Sequence, residues 1–366
     1  MRELLLVSQV TRLAMPGKAD VEEWLGIYNL INKNVNVIDR CGYLQTPFRF
    51  KNIFPMPQDL RGFNKTYTEV CVGRANQLIE LSQRLGKPIF VLYSGGIDST
   101  VVITSFLMAQ GGRSDNLKVA LNTHSIRENP NFYYKHLRGK VEIVPSETVL
   151  DSITDDHLVV GGEGNDQIFG TDIYKDIRNY AGIPFIHQKY TEKNVCDFFM
   201  HSGISQRSAQ TWFSLMDEQI RATNLVEITT VKDFFWWYNF CYKWQNVYFR
   251  IPARSTNTQP LTRAFLDDYY HQFFMVPDFE KWSMLNPDKK IGDTWASYKK
   301  AAKEFIYEFS KDREYFENKT KVASLVNIFR QRKPIVAIDG DYGMMQSIDP
   351  REFYVEENSF REFLSR

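Results

Sequence analysis

The apolar run "IFVLY" at 89–93 breaks without transition into Ser94-Gly95-Gly96-Ile97-Asp98-Ser99, and the chain then resumes as the nearly all-apolar "STVVITSFLMAQ" at 99–110. Five apolar residues after Pro88 predict a buried strand ending at Ser94. The segment beyond the glycines predicts a helix that stops at Gly111-Gly112. Upstream, Val70, Cys71, Ala75, Leu78, Leu81 and Leu85 recur at three or four residues and predict an amphipathic helix over 67–85, ended by Gly86. Downstream, strands are expected at "LKVALNTH" (117–124), "VEIVP" (141–145) and "HLVVGG" (157–162), with a helical "NPNFYYKHLR" between the first two. Strands alternating with helices at this spacing predict an α/β fold: a parallel, doubly wound sheet with helices on both faces. Ligands of such sheets sit beyond the carboxyl ends of the strands, where both glycine clusters fall.

The first cluster has the composition of a phosphate cradle. Glycines let backbone approach a ligand, the serines offer hydroxyl donors, and the next helix turns its unpaired N–H groups toward whatever binds. Asp98 would repel phosphate unless a cation lay between them, so it reads as a Mg²⁺ ligand. No lysine follows the glycines, which excludes a Walker A loop. A tight turn with Asp98 or Ser99 capping the helix is the structural alternative for one loop alone. The second cluster, "VVGGEGNDQIFG" at 159–170, again follows a strand and again combines glycines with acids, Glu163 and Asp166. Two such loops on one sheet imply two carboxylates converging on one metal–nucleotide.

These motifs carry a resemblance. "SGGIDS" resembles the signature of the PP-loop ATP pyrophosphatases, and "GGEGNDQIFG" is similar to the SGEGxDE-F-G element of the branch containing the synthetase domain of asparagine synthetase and β-lactam synthetase. The second motif departs at Gly161 and Gln167 and keeps Gly162, Glu163, Gly164, Asp166, Phe169 and Gly170; the two loops also stand closer together than in that family, which implies a trimmed domain. The resemblance implies that Ser94, Gly95, Gly96 and Ser99 hold phosphates of ATP, that Asp98 and Asp166 coordinate Mg²⁺, and that Gly162 and Glu163 lie near nucleotide and acceptor. It also implies that Leu121 and Asn122 flank adenine. Further on, "NFCYKWQNVYFRIP" and "QPLTRAFLDDYYHQFF" resemble the family's helical lobe, with Lys243 as its lysine and Phe265-Leu266-Asp267 as its F-L-D. Lys321, with Lys319 behind it, stands where the family grips the leaving pyrophosphate. The implied function is an ATP-dependent, AMP-forming amide ligase acting on a small-molecule carboxylate. The family's glutamine-dependent members begin with a cysteine after the initiator Met; here Met1-Arg2 begins the chain and no cysteine precedes 41, so ammonia or an amine would come from elsewhere, such as a separate amidotransferase.

With 366 residues, two lobes are expected. The linear division runs 1–64, a segment with one helix candidate at 20–34; 65–190, the ATP-binding α/β domain; 191–330, a mainly helical lobe completing the site; and 331–366, a β element with an Asp-Gly hairpin signal in "IVAIDGDYGMMQ" and a tail. Aromatic residues are 14% of the chain, many of them beyond 230, where "FFWWYNF" predicts a packed core. A net charge of +1 provides no field for nucleic acid and argues against the other PP-loop option, modification of a nucleobase or tRNA. Cysteines at 41, 71, 196 and 241 form no CxxC pair or disulfide framework, which fits a reducing cytoplasm, and no apolar run is long enough for a membrane span. A catalytically reduced nucleotide-binding protein is the remaining alternative; two acids facing phosphates argue against it.

Overall fold

A computed structural model describes residues 2–7, 10–22, 24–25, 38–43, 46–112, 116–145, 153–171, 173–252, 261–320, 336–340 and 348–356. Seven strands lie among them: β1 (Leu4–Val7), β2 (Ile89–Leu92), β3 (Leu117–Leu121), β4 (Glu142–Pro145), β5 (Leu158–Gly161), β6 (Tyr270–Gln272) and β7 (Val336–Ile338). Contacts group the chain into two compact units, one of Asp59–Phe169 with Ser255–Arg332 and the other of Met1–Gln58, Gly170–Arg254 and Lys333–Arg366. This grouping cuts across the four consecutive segments read from the sequence, because each unit recruits stretches far apart in the chain.

The first unit is built on a five-stranded sheet of order β4-β3-β2-β5-β6, in which every neighbouring pair is parallel. Strands β2 and β5 are buried along their whole length, whereas β4, at the sheet edge, is largely exposed. The chain winds outward from β2 through β3 to β4 and then returns to pair β5 on the other side of β2. The winding therefore reverses between β2 and β5, the place where open α/β sheets bind ligands at their carboxyl ends.

Local rules account for most of its helices. Helix α1 (Tyr67–Leu85) opens on a capping box, the Glu69 N–H donating to Thr66 Oγ1 at 3.2 Å and the Thr66 N–H to Glu69 Oε2 at 2.7 Å, and it closes on Gly86 at φ 64°. Helix α2 (Ile97–Ala109) starts two residues before the expected Ser99, directly on Gly96, and is buried at every position from Ser99 to Leu107. Beyond β3 the expected strand end at 122–124 is helical instead: Asn122 Oδ1 accepts from the N–H groups of His124 (3.0 Å) and Ser125 (3.1 Å) and starts α3 (Thr123–Glu128). Helix α4 (Asn165–Phe169) follows β5, and α5 (Pro277–Leu285) and α6 (Lys300–Ser310) complete the elements used below.

A short strand, β6, stands within the mainly helical region after 191. Its residues pair Val159↔Tyr270 and Gly161↔Gln272, and the Phe273 N–H continues the ladder to Gly161 O at 2.9 Å. Burial explains the outcome, since Tyr270, Gln272, Phe273 and Phe274 are all enclosed.

In the second unit β1 and β7 pair antiparallel. Helix Val231–Tyr242 starts on the Thr230/Asp233 capping box and is buried at every position, so the aromatic run 234–240 is core, with Trp236 and Phe240 ring centres 5.0 Å apart. Part of the N-terminal helix candidate (23 and 26–34) and residues 335 and 341–346 of the hairpin candidate lie outside the described residues; Asp339 and Gly340 form a turn after β7. Among the described residues no helix is long and apolar enough to cross a membrane.

Gly95 adopts φ +80°, and a Cβ there would stand 2.2 Å from Ser125 O, whereas Gly96 is extended and a Cβ would meet Ser94 Oγ at 3.3 Å. Gly95→Ala is therefore expected to lower unfolding stability by about 2–4 kcal/mol, combining left-handed strain with overpacking, and Gly96→Ala by clearly less. Urea titration of both variants checks this; equal losses would contradict the turn described here.

Candidate functional site

Register places the two glycine loops side by side. Ile89, Phe90 and Val91 of β2 pair with Leu158, Val159 and Val160 of β5, so the chain leaves the sheet at neighbouring points on its carboxyl edge. Gly162 makes the approach close: a Cβ on it would lie 3.2 Å from Ser99 N and 3.4 Å from Asp98 C. Glycine is thus needed at 162 for one loop to rest on the other.

The first loop is cross-linked by its own serines. Ser99 Oγ accepts from the Ser94 N–H at 3.1 Å, lies 3.1 Å from Ser94 Oγ, and donates to Gly96 O at 3.3 Å. Thr100 Oγ1 also donates to Gly96 O, at 2.8 Å. Ser99 is buried, so its hydroxyl serves the loop, while Ser94 is half-buried at the rim. Gly96 provides no side-chain cap to the 13-residue helix α2, which leaves the positive end of its dipole to the loop. The missing side chain of Gly95 makes room for Ser125 O of α3 and for Glu128 Cβ.

The second loop is fixed from β6. Gln272 Oε1 accepts from the Glu163 N–H at 3.0 Å, and Gln272 Nε2 donates to Tyr270 OH. The Glu163 side chain stays half-buried at the same edge, and Asp166 stands in the first turn of α4.

Between the two loops lies a lysine that sequence reasoning missed. Lys299 Nζ is 2.6 Å from Asp98 Oδ1 and 2.7 Å from Asp166 Oδ1, with its side chain fully buried and the carboxylates 28% and 25% exposed. Its backbone is left-handed, φ 59° and ψ 33°, at the start of α6, a conformation uncommon for a residue with a side chain and concentrated at functional sites. Asn165 and Tyr298 complete the network. Asn165 Nδ2 donates to Asp98 Oδ1 at 2.6 Å and its Oδ1 accepts from Tyr67 OH at 3.2 Å, while Tyr298 OH donates to Asp166 Oδ1 at 3.3 Å. Burial holds the Tyr67 hydroxyl well above the usual tyrosine range, so it remains a donor.

Other expected residues fall in varied places. Leu121 is buried at the end of β3, and the Asn122 side chain is engaged in capping α3. Lys319 Nζ meets Glu128 Oε1 at 2.5 Å and Glu128 O at 3.2 Å, which brings it beside Gly95, whose missing Cβ would approach Glu128. Lys303 supports that arm by donating to Ala296 O and, at 3.3 Å, to Lys319 O; burial lowers its ammonium below the usual lysine range. Lys321 lies outside the described residues. Lys243 belongs to the other compact unit, where its ammonium stands 5.0 Å from the centre of the Tyr238 ring.

No protein-family model matches this chain. A search of curated proteins finds no match either. Geometry and chemistry therefore carry the site alone.

Asp98 and Asp166 are the residues that could hold a divalent cation. Two carboxylates aimed at one point already hold a monovalent cation there, and two acids with one lysine leave the cluster a single negative charge in excess. A phosphate chain approaching α2 needs that excess neutralised, which a divalent ion held by Asp98 and Asp166 would do. Removing the ammonium leaves the two acids opposed at closely packed loops. Lys299→Met is expected to destabilise the protein by about 3–5 kcal/mol, with part of the loss recovered on adding Mg²⁺. Thermal melts with and without Mg²⁺ read both effects; a Lys299→Met variant as stable as wild type would remove the ion pair from the account.

Proposed function

We propose that this chain is a doubly wound PP-loop protein that binds Mg-ATP at the junction of its two glycine–acid loops and activates a small-molecule carboxylate as an acyl-adenylate, for attack by ammonia or an amine. The observation that carries this is the convergence of Asp98 and Asp166 on one cation at the point where the sheet reverses its winding. Acid pairs beside an uncapped helix start suit a polyphosphate that brings its own counter-charge; they do not suit a bare anion.

The chemistry asks more for positioning than for proton transfer. A carboxylate oxygen forms a bond to the α-phosphorus, the bond to the bridging oxygen breaks, and pyrophosphate leaves; the nitrogen nucleophile then bonds the acyl carbon, AMP departs, and the nitrogen loses its proton. Backbone N–H groups at the start of α2 hold phosphate oxygens, and Ser94 at the rim adds a hydroxyl. Asp98 and Asp166 would hold the metal, which would supply charge neutralisation on the phosphates. Lys299, whose ammonium stands between the same two carboxylates, contributes its charge to stabilising the leaving pyrophosphate. Lys319, beside Gly95, is the second cation placed for that charge, and Glu163 lies on the acceptor side.

One observation favours a different reading. The Lys299 ammonium already occupies the point between the acids, as a lysine replacing the metal would in a nucleotide-binding protein without catalysis. The two are separated by measuring pyrophosphate and orthophosphate release from Mg-ATP, with aspartate, ammonia and a panel of carboxylates supplied. Adenylation requires pyrophosphate, falling by about 10²–10³ in Asp98→Asn. ATP binding that is independent of Mg²⁺ and releases no pyrophosphate with any acceptor would instead support the lysine-for-metal reading.

A further inference from the structure

In the second compact unit, Cys41 and Cys241, 200 residues apart in sequence, bring their sulfurs to 3.7 Å. Asp39 adjoins both, and the potential ligand atoms of these three side chains all lie within 4.8 Å of one another. Backbone pairing holds the two stretches together, with the Arg40 N–H reaching Cys241 O at 3.4 Å and the Ile38 N–H reaching Tyr242 O at 3.3 Å. The surroundings are rigid. Trp237 Nε1 donates to Gln219 Oε1 at 2.7 Å, so that Gln219 Nε2 faces Asp39 Oδ1 (3.1 Å) and Cys241 Sγ (3.2 Å). The two thiols differ in access: Cys241 is buried, and Cys41 is the one cysteine of the four that is not.

We propose that Cys41 and Cys241 form a thiol–disulfide exchange site, with Cys41 the thiol that meets an external small-molecule disulfide and Cys241 the thiol that resolves it. The Cys41 sulfur attacks the external disulfide, forming a mixed disulfide and releasing one external thiolate, which takes up the proton that Cys41 lost. The Cys241 S–H already donates to Asp39 Oδ1 at 3.2 Å. As that proton passes to the carboxylate, the Cys241 sulfur bonds to Cys41 Sγ and the second external thiolate leaves, to be protonated in turn. Two protein thiols are thus oxidised by two electrons and one external disulfide is reduced to two thiols.

Two features favour this over capture of a metal ion by the same three residues. Asp39 Oδ1 already accepts from the Cys41 N–H at 2.8 Å and from Gln219, and Oδ2 accepts from the Tyr43 N–H at 2.9 Å, so the carboxylate is committed to the loop. Burial, with Cys41 and Asp39 alongside, also holds the Cys241 thiol well above the usual cysteine range. A lasting thiolate is disfavoured there, and the uncharged disulfide avoids it.

The test uses the full chain, reduced and then exposed to oxidised glutathione, quenched in acid, alkylated and mapped by mass spectrometry. Wild type is expected to lose two of its four thiols and to yield a Cys41–Cys241 cross-linked peptide, reversed by dithiothreitol. Cys241→Ser should accumulate glutathione on Cys41, and Asp39→Asn should slow resolution of that adduct at least tenfold while leaving its formation unchanged. A lasting Cys41 adduct in wild type, both thiols left unreacted, or release of stoichiometric zinc from the purified protein on alkylation would each overturn the proposal. The wild-type map decides it even if a variant does not fold.

Discussion

The Lys299 ammonium, shared between Asp98 and Asp166, is the contact on which the carboxyl edge of the sheet depends. Two carboxylates on neighbouring strand ends repel each other, and at a closely packed edge water screens that repulsion poorly. One cation removes the conflict. Its own costs are a left-handed backbone, about 1–2 kcal/mol, and the desolvation of a fully buried ammonium. Two charge contacts offset them, while Asn165 and Tyr298 satisfy the carboxylates further. Such an arrangement fixes three chain segments at once: the β2–α2 turn, the β5–α4 turn and the start of α6.

Close packing accounts for the absence of a side chain at two of the loop glycines. Gly162 lets the second loop lie on Ser99, and Gly95 yields its space to the Ser125 carbonyl. Gly96 is different, because it meets little and leaves α2 without a side-chain cap. The sequence presents Gly95 and Gly96 in one glycine-rich motif and Gly162 in a second, although the protein divides the work between packing and exposure of the helix start.

What could be read from the sequence was local. Helix α1 announces itself through its apolar period and its Gly86 stop, and β2, β3 and β5 through short apolar runs. The two acids were legible because each follows a strand and a glycine pair. Strand β6 was not, since three residues of mixed polarity become a strand only by pairing with β5, and that pairing joins positions as distant as Gly161 and Gln272. Lys299 was hidden for a related reason: in "SYKKAAKEF" it precedes an ordinary amphipathic helix, and only tertiary closure brings it to acids far upstream. Lys319 could be ranked only behind Lys321, because proximity to Glu128 leaves no trace in spacing.

The sheet is completed late in the chain. Between β5 and β6 the polypeptide leaves to build the longest stretch of the other unit, Gly170–Arg254, before returning. During synthesis from the N-terminus, β5 therefore emerges with one edge unpaired and its glycine loop without Gln272, while well over a hundred further residues are made before Lys299 follows. Until then the two acids face each other with no lysine between them. The nascent chain thus carries an open parallel edge, the kind of surface that invites mispairing and chaperone attention, and the ribosome must pass residue 299 before the carboxyl edge of the sheet can close.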